Sequence, residues 1–598
     1  MNPSALPRGP ETGLEDIKGD LPEADFWTAI TSVLPVIRSF ILAVLQPTEQ
    51  SFRMLRINRM RTRRTSLCFV LLALAVAIRV HGQTSVASTM QEASSLSPLW
   101  GDLAPGQYRV GFRTLFRFDA SRTWRGTRDY RGTFSPDLNG RPVQVNVWYP
   151  AAAAGSKRQT RYGDYVDQTS PEAFSIFNAV MKERSRRNAA DSVPSDQLAA
   201  LQATPMNAYK DAPTAEGRFP AVLYFGGLDA EINSNLILAE YLASQGYIVA
   251  SVSLLGPTDE QTFQSRTPDD IEATVRDMEF AWSILSEEPN TDKAKLAAMG
   301  HSVGAIEAVL LGMRNANVSA VIALDGTYAF QGLSTVLTNS YGYAPGKMRA
   351  SFLDLRRAQG AQGDEPLDLT TIGSFRYSDR TFVTISKMHH SDFTSFAMLG
   401  ETFHAPITSK YPLNGWDRKT GKSGYQHACR IILAFLDAKV RDDSQTITAL
   451  AETVGHADGG VLRHEAAALL PPSPLESAAL VSKEGLAAVK ALFSKICGEQ
   501  GIGDCVDGDR FNTWGYNLFG QHRPKDALAV FEIAAWAHPT SANAQDSLAD
   551  GYLAVGDKES AKKVLQRAID LAPDDLLIES GSKASFVSDE TKKLRQIN

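Results

Sequence analysis

Between Lys295 and Leu311 the pattern of the chain changes abruptly. Lys295-Leu296-Ala297-Ala298-Met299 reads as a short buried strand, and Ala305 to Leu311 reads as a helix with an apolar face. Only Gly300-His301-Ser302-Val303-Gly304 lies between them. A strand that turns into a helix within five residues leaves little choice of fold: the chain needs a tight turn, and the glycines on either side of Ser302 permit it. The G-x-S-x-G spacing on its own is weak, since average residue usage supplies it about 0.2 times by chance in a chain of this length. With a strand before it and a helix after it, the pentapeptide is the setting of an exposed serine nucleophile, and Ser302 is the candidate.

The residues on both sides extend the alternation. Phe219 to Phe225 reads as a strand closed by Gly226-Gly227, Leu236 to Ser244 as a helix, Tyr247 to Leu254 as a strand and Pro268 to Ser286 as a helix. After the elbow come strands at Ala320 to Leu324, Ala350 to Leu355 and Thr381 to Ile385, then an amphipathic helix over Gly424 to Val440. Earlier, Gln107 to Trp124 alternates in strand fashion, and Arg141 to Pro150 is a strand ended by proline. This order predicts an α/β fold, a doubly wound, mostly parallel sheet covered on both faces, with ligands beyond the carboxyl ends of the strands.

A chain of 598 residues is too long for one core. Residues 60–82 read as a secretory signal, with Arg61, Arg63 and Arg64 before an apolar run from Leu67 to Ile78 that is too short to span a bilayer. The expected organisation is a non-native or disordered extension over 1–59, the signal at 60–82, and a Ser/Thr-rich linker over 83–106. A main domain at 107–440 then carries a cap-like insertion at 155–217, and a helical region fills 441–598. Export to the periplasm or outside the cell follows, with an uncleaved membrane anchor as the variant. The net charge of −6 provides no basic footprint for nucleic acid. Cys497 and Cys505 are close enough to form a disulfide if the protein is exported, and two buried thiols are the alternative.

The C-terminal region repeats itself. Ala527, Phe531, Ala534 and Pro539 recur 34 residues later as Ala561, Leu565, Ala568 and Pro573. This resembles tetratricopeptide repeats over 508–575, which implies a small all-α domain able to hold a peptide or protein partner.

A serine hydroxyl needs a base, and the base needs a carboxylate to orient it. His389-His390-Ser391-Asp392-Phe393 follows the last predicted strand, where a histidine can reach the serine; His404 and His427 follow no strand. Two aspartates end strands after the elbow, Asp325 and Asp354, and position alone slightly favours Asp354. For an oxyanion, two backbone N–H donors are expected, from Val303 after the nucleophile and from Leu228 in the glycine turn.

From Val110 to about Val440 these pieces resemble the platelet-activating-factor acetylhydrolase-like branch of the α/β-hydrolases, related to dienelactone hydrolases. The matching motifs are Val147-Trp148-Tyr149-Pro150, Gly227-Leu228, the Ser302 elbow, Ala323-Leu324-Asp325 and His390-Ser391-Asp392-Phe393. The resemblance implies that the acid is Asp325, 23 residues after Ser302, and that the histidine is His390 rather than His389. It implies a Ser302–Asp325–His390 triad that cleaves small-molecule or lipid esters with no metal or organic cofactor, with peripheral lipid contact as a further implication. The turn Gly226-Gly227-Leu228-Asp229 and Ala305 depart from the family pattern, so the choice of ester stays open. Two other readings remain: a catalytically inactive binding platform, and a peptidase or polyester hydrolase on the same fold.

Overall fold

The computed structural model describes residues 96–124, 139–152, 157–228, 230–259, 261, 264–330, 332–358, 367–404, 415–443, 446–455, 461–498, 501–576 and 578–597. The expected extension, the signal and most of the expected linker lie outside the described residues.

Eleven strands form one sheet in the order β11-β10-β9-β8-β7-β5-β6-β2-β1-β4-β3. They are β1 (Arg109–Asp119), β2 (Arg141–Ala151), β3 (Gln159–Arg161), β4 (Pro205–Lys210), β5 (Phe219–Phe225), β6 (Ile248–Val252), β7 (Thr291–His301), β8 (Val318–Leu324), β9 (Ser351–Arg357), β10 (Arg380–Ile385) and β11 (Val461–Glu465). From β6 through β5, β7, β8 and β9 to β10 every pairing is parallel. Crossover helices are what parallel neighbours require. They include α2 (Leu236–Ser244), α3 (Pro268–Ser286) and α4 (Gly304–Arg314), while α1 (Ser175–Ser192) precedes them in the insertion and α5 (Arg418–Lys439) follows β10.

Both faces of the central strands are buried, so β5 is apolar throughout and its neighbours over much of their length, and the side chains split by alternation. In β8, Ala320, Ile322 and Leu324 point into one core with α2 and α5 residues such as Leu238 and Ile432. Val321 and Ala323 point into the other with Ile306, Val309 and Met278 from α4 and α3. Each helix is therefore held by its apolar stripe, and the chain ends that leave the strands toward the helices all emerge along one edge.

Three boundaries differ from expectation. The end of the presumed linker is core: Leu99, Trp100 and Leu103 are each 1% exposed or less, and the Trp100 indole donates to the buried Glu240 at 3.0 Å. Part of the insertion extends the sheet rather than capping it, because β3 and β4 pair with each other and β4 pairs with β1. α1 lies against the loops near Ser302, where Ser185 donates to Glu231 at 3.0 Å and Arg184 to the Leu254 carbonyl at 2.6 Å. The sheet also runs past residue 440: β11 pairs antiparallel with β10, and Leu450 and Val454 of the intervening helix sit in the main core. The separate helical region starts near Pro474.

That region stacks helix pairs. Helices at Gly508–Gly520 and Pro524–Ala537 are followed by helices at Ala542–Ala554 and Lys558–Leu571, each boundary 34 residues after its counterpart. Ala527, Phe531 and Ala534 are buried, as are Ala561, Leu565 and Ala568. Gly515 lies flat under the Phe531 ring, where a Cβ would stand 2.2 Å from it. Cys497 and Cys505 form a disulfide with Cα atoms 6.2 Å apart, and Cys429 is a buried free thiol.

Candidate active site

Ser302 sits where β7 ends and α4 begins, at φ +57°. A left-handed non-glycine residue is strained, and such strain persists only when its surroundings over-determine it. Here they do: the Ser302 N–H donates to Leu324 O of β8 at 3.0 Å, and its carbonyl accepts from Ala305 and Thr327 at 3.2 and 3.1 Å. The glycines are required by close approach. A Cβ on Gly300 would lie 1.9 Å from Gly304 O, and one on Gly304 would lie 2.3 Å from Phe225 O. The turn therefore holds the hydroxyl at the sheet edge, partly exposed.

Asp325 follows β8 and takes φ +46°. Its carboxylate is 4% exposed, and Oδ2 lies 2.6 Å from His390 Nδ1. Burial works to raise this carboxyl, but the His390 hydrogen bond and the charges of His390 and Arg357 outweigh it and hold it near 2. The ion is therefore present at neutral pH to fix the imidazole. His390 begins the short turn after β10, and its side chain is 38% exposed. The structure thus brings Asp325 and His390 together beside the strand end that carries Ser302, whose Oγ hydrogen-bonds Thr327 Oγ1 at 3.1 Å.

Asp354 is elsewhere. It lies inside β9, paired in register with Ala323, fully buried, accepting from Tyr328 at 2.7 Å and ion-paired with Arg356. The other histidines also part company. His389 is buried with its ring against Trp416 at 4.3 Å, His404 is exposed, and His427 lies within α5.

The glycine turn after β5 abuts the nucleophile. A Cβ on Gly227 would lie 3.1 Å from His301 Nδ1 and 3.2 Å from Ser302 Cβ. Among the described residues, neither the Leu228 nor the Val303 N–H donates a hydrogen bond.

Sequence reasoning missed three neighbours. The His301 ring, 7% exposed, packs tilted against His390 with centroids 4.6 Å apart, and its Nε2 lies 3.0 Å from His390 O. Burial and then the neighbouring His390 charge push His301 down to about 3, so it stays neutral and donates to that carbonyl. Arg357, at the end of β9, reaches Asp325 Oδ2 through Nε at 3.1 Å. Thr327 was hidden because nothing in a loop threonine marks a contact with a nucleophile. His301 had a signal in its place inside the elbow, and Arg357 in its position one strand beyond Asp325. Among the described residues no cluster of three His, Cys, Asp or Glu side chains could hold a metal ion, and no helix is long and apolar enough to cross a membrane.

Residues 184–340, which include the glycine turn, Ser302 and Asp325, match the Chlorophyllase family model. No curated protein matches the chain. Among solved structures, a ferulic acid esterase from Streptomyces cinnamoneus aligns at 18% identity over 57% of this chain and 92% of its own, with a TM-score of 0.40. The parallel sheet with its serine elbow is an α/β-hydrolase architecture, and with the family match it points to a carboxylic ester hydrolase.

Proposed function

We propose that the chain is an exported serine ester hydrolase with Ser302, His390 and Asp325 as its triad. The observation that carries this reading is the 2.6 Å His390–Asp325 contact beside a serine strained onto the sheet edge. Ser302 turns from Thr327 toward His390 Nε2, loses its proton there and attacks the ester carbonyl. Apo contacts of this kind tighten when substrate binds. Asp325 holds the Nδ1–H tautomer and stabilises the imidazolium, and Leu228 and Val303 N–H groups receive the oxyanion. His390 then gives the proton to the leaving alcohol, and water releases the acyl group by the same steps in reverse.

The substrate class is a short-chain acyl ester or a platelet-activating-factor-like phospholipid, supported by the resemblance around Leu324-Asp325 and His390 to Phe393. The disulfide supports export, since such bonds persist in oxidising compartments. Ser302→Ala tests the reading: p-nitrophenyl acetate turnover and fluorophosphonate labelling are both lost while the circular dichroism is unchanged. Retained turnover or labelling refutes it.

A second role has its own observation. The helix pairs, read as tetratricopeptide-like repeats, enclose a cavity of about 370 Å³ lined by Asp509, Asn512, His538, Asn543, Ser547 and Phe586. A peptide partner held there would act alongside the hydrolase, or in place of it if Ser302 does not label.

A further inference from the structure

Asp325 Oδ2 has two donors. His390 Nδ1 lies at 2.6 Å and Arg357 Nε at 3.1 Å, and the Arg357 backbone N–H adds a 3.4 Å contact to Oδ1. The guanidinium lies 5.6 Å over the Phe330 ring, and that ring stands edge-on to His390 with centroids 6.0 Å apart. Arg357, Phe330, His390 and Asp325 therefore close a ring of contacts, with Arg357 only 19% exposed. The triad described above needs only the imidazole and the carboxylate, so the guanidinium is surplus to it. We propose that Arg357 is a positioning residue that clamps the Asp325 carboxylate and sets the basicity of His390. The proposal rests on the triad reading.

The physical argument concerns a shared charge. When His390 takes the serine proton it becomes a cation facing Asp325, and that carboxylate is already partly neutralised by Arg357. The guanidinium also repels the imidazolium directly. Both effects oppose the gain of a proton on the imidazole that shares Oδ2 with Arg357, so removing the guanidinium should favour the imidazolium. The other charged or titratable groups near Asp325 are fixed. His301, from the end of β7, stays neutral. Tyr328 is buried and neutral, and Arg356 is paired with Asp354. Among the described residues, Arg357 is the cation seen hydrogen-bonded to this carboxylate. Its Nε on Oδ2 and its backbone N–H toward Oδ1 also keep the shared oxygen in place without help from substrate.

The test is the pH profile of kcat/KM for p-nitrophenyl acetate in the full-length protein, comparing wild type with Arg357→Met, Arg357→Gln and Arg357→Lys. In the Met and Gln variants the acid limb moves up by about 0.5 to 1 pH unit, the size expected when one neighbouring, partly exposed charge is removed. Arg357→Lys retains the charge and returns the limb most of the way, with a lower kcat because the fork to Oδ2 is gone. A kcat that falls equally at every pH with no movement of the limb assigns Arg357 a structural role only and overturns the proposal. So does an acid limb that moves equally in all three variants. Gln serves if Met does not fold, and thermal melting checks each protein. If wild type turns over the ester no faster than Ser302→Ala, the triad reading itself falls and this proposal falls with it; wild-type turnover with an unmoved limb sinks this proposal alone.

Discussion

Asp325, just past β8, and Asp354, inside β9, differ in what they hold, and one pair of substitutions separates them. Asp325→Asn keeps shape but removes the charge 2.6 Å from His390 Nδ1. The amide can present an N–H where the imidazole needs an acceptor, which turns the ring to the wrong tautomer; in serine proteases this change costs about 10⁴ in kcat. Stability should suffer less, by about 1–3 kcal/mol, because Arg357 keeps its solvent-exposed edge and its Phe330 contact. Asp354→Asn does the reverse. Asp354 is 0% exposed and Arg356 is 6% exposed, so removing the carboxylate leaves a buried guanidinium uncompensated. That costs about 3–5 kcal/mol, a fifth or more of the 5–15 kcal/mol that holds a typical domain. The assay pairs kcat/KM for p-nitrophenyl acetate with the urea midpoint of the hydrolase domain. Asp325→Asn should be nearly inactive with the smaller drop in midpoint; Asp354→Asn should show the larger drop but turn over normally where folded. A folded, inactive Asp354→Asn beside an active Asp325→Asn would refute the assignment.

Glu307 on α4 is fully buried, hydrogen-bonded to Gln264, and burial with Asp277 and Asp270 nearby pushes its carboxyl well above the ordinary range. It is therefore protonated when folded and ionised when unfolded, so its cost begins above the unfolded value and grows by about 1.4 kcal/mol per pH unit until the native carboxyl ionises. Urea midpoints should show Glu307→Gln gaining on wild type between pH 5 and pH 7, and parallel pH slopes would count against the protonated state. A chain ending at Val440 loses β11 and the buried Leu450 and Val454, whereas one ending at Pro472 keeps them. Expression and kcat/KM should collapse for the shorter chain and stay within about twofold for the longer; equal behaviour would return the domain boundary to residue 440.

Much of the parallel core was legible because strands buried on both faces must be apolar throughout, and Phe219 to Phe225 or Ala320 to Leu324 admit few other readings. The elbow was legible for a steric reason: two backbone approaches forbid a Cβ at Gly300 and Gly304. Edge strands were not, because one exposed side removes the apolar signature. β11 is Val461-Leu462-Arg463-His464-Glu465 and four of its five residues are exposed, so its place beside β10 rests on backbone pairing and on Arg380–Glu465 and His464–Asp379 ion pairs that no local pattern announces. Leu99 and Trp100 were read as linker because their partners, Glu240 and Tyr241 among them, come about 140 residues later. Asp354 looked better placed than Asp325 because a strand end can be misjudged by two residues, and β9 continues to Arg357.

That two-residue difference explains how the site assembles. In a parallel sheet neighbouring strands climb together, so residues that share a register share a height. Gly300 is level with Ala323, His301 with Leu324, and Leu324 with Leu355. Leu355 is level with Val383, and Arg357 with Ile385. One step past the common level of His301 and Leu324 stand Ser302 and Asp325, and Asp354 lies one step below it with its side chain locked in the core. β9 runs two residues beyond that level, which lifts Arg357 to the height at which it can bend back onto Asp325. β10 ends with Ile385, and the chain then needs only Ser386 to His389 to swing His390 over both. Four adjacent strands thus deliver Ser302, Asp325, Arg357 and His390 in spatial order: Ser302 and Asp325 one residue past their last paired positions, Arg357 at the last pair of β9, and His390 five residues past the end of β10. The order along the sheet places Arg357 between the acid and the base, which is why a cation on β9 can reach a carboxylate that serves a histidine from β10.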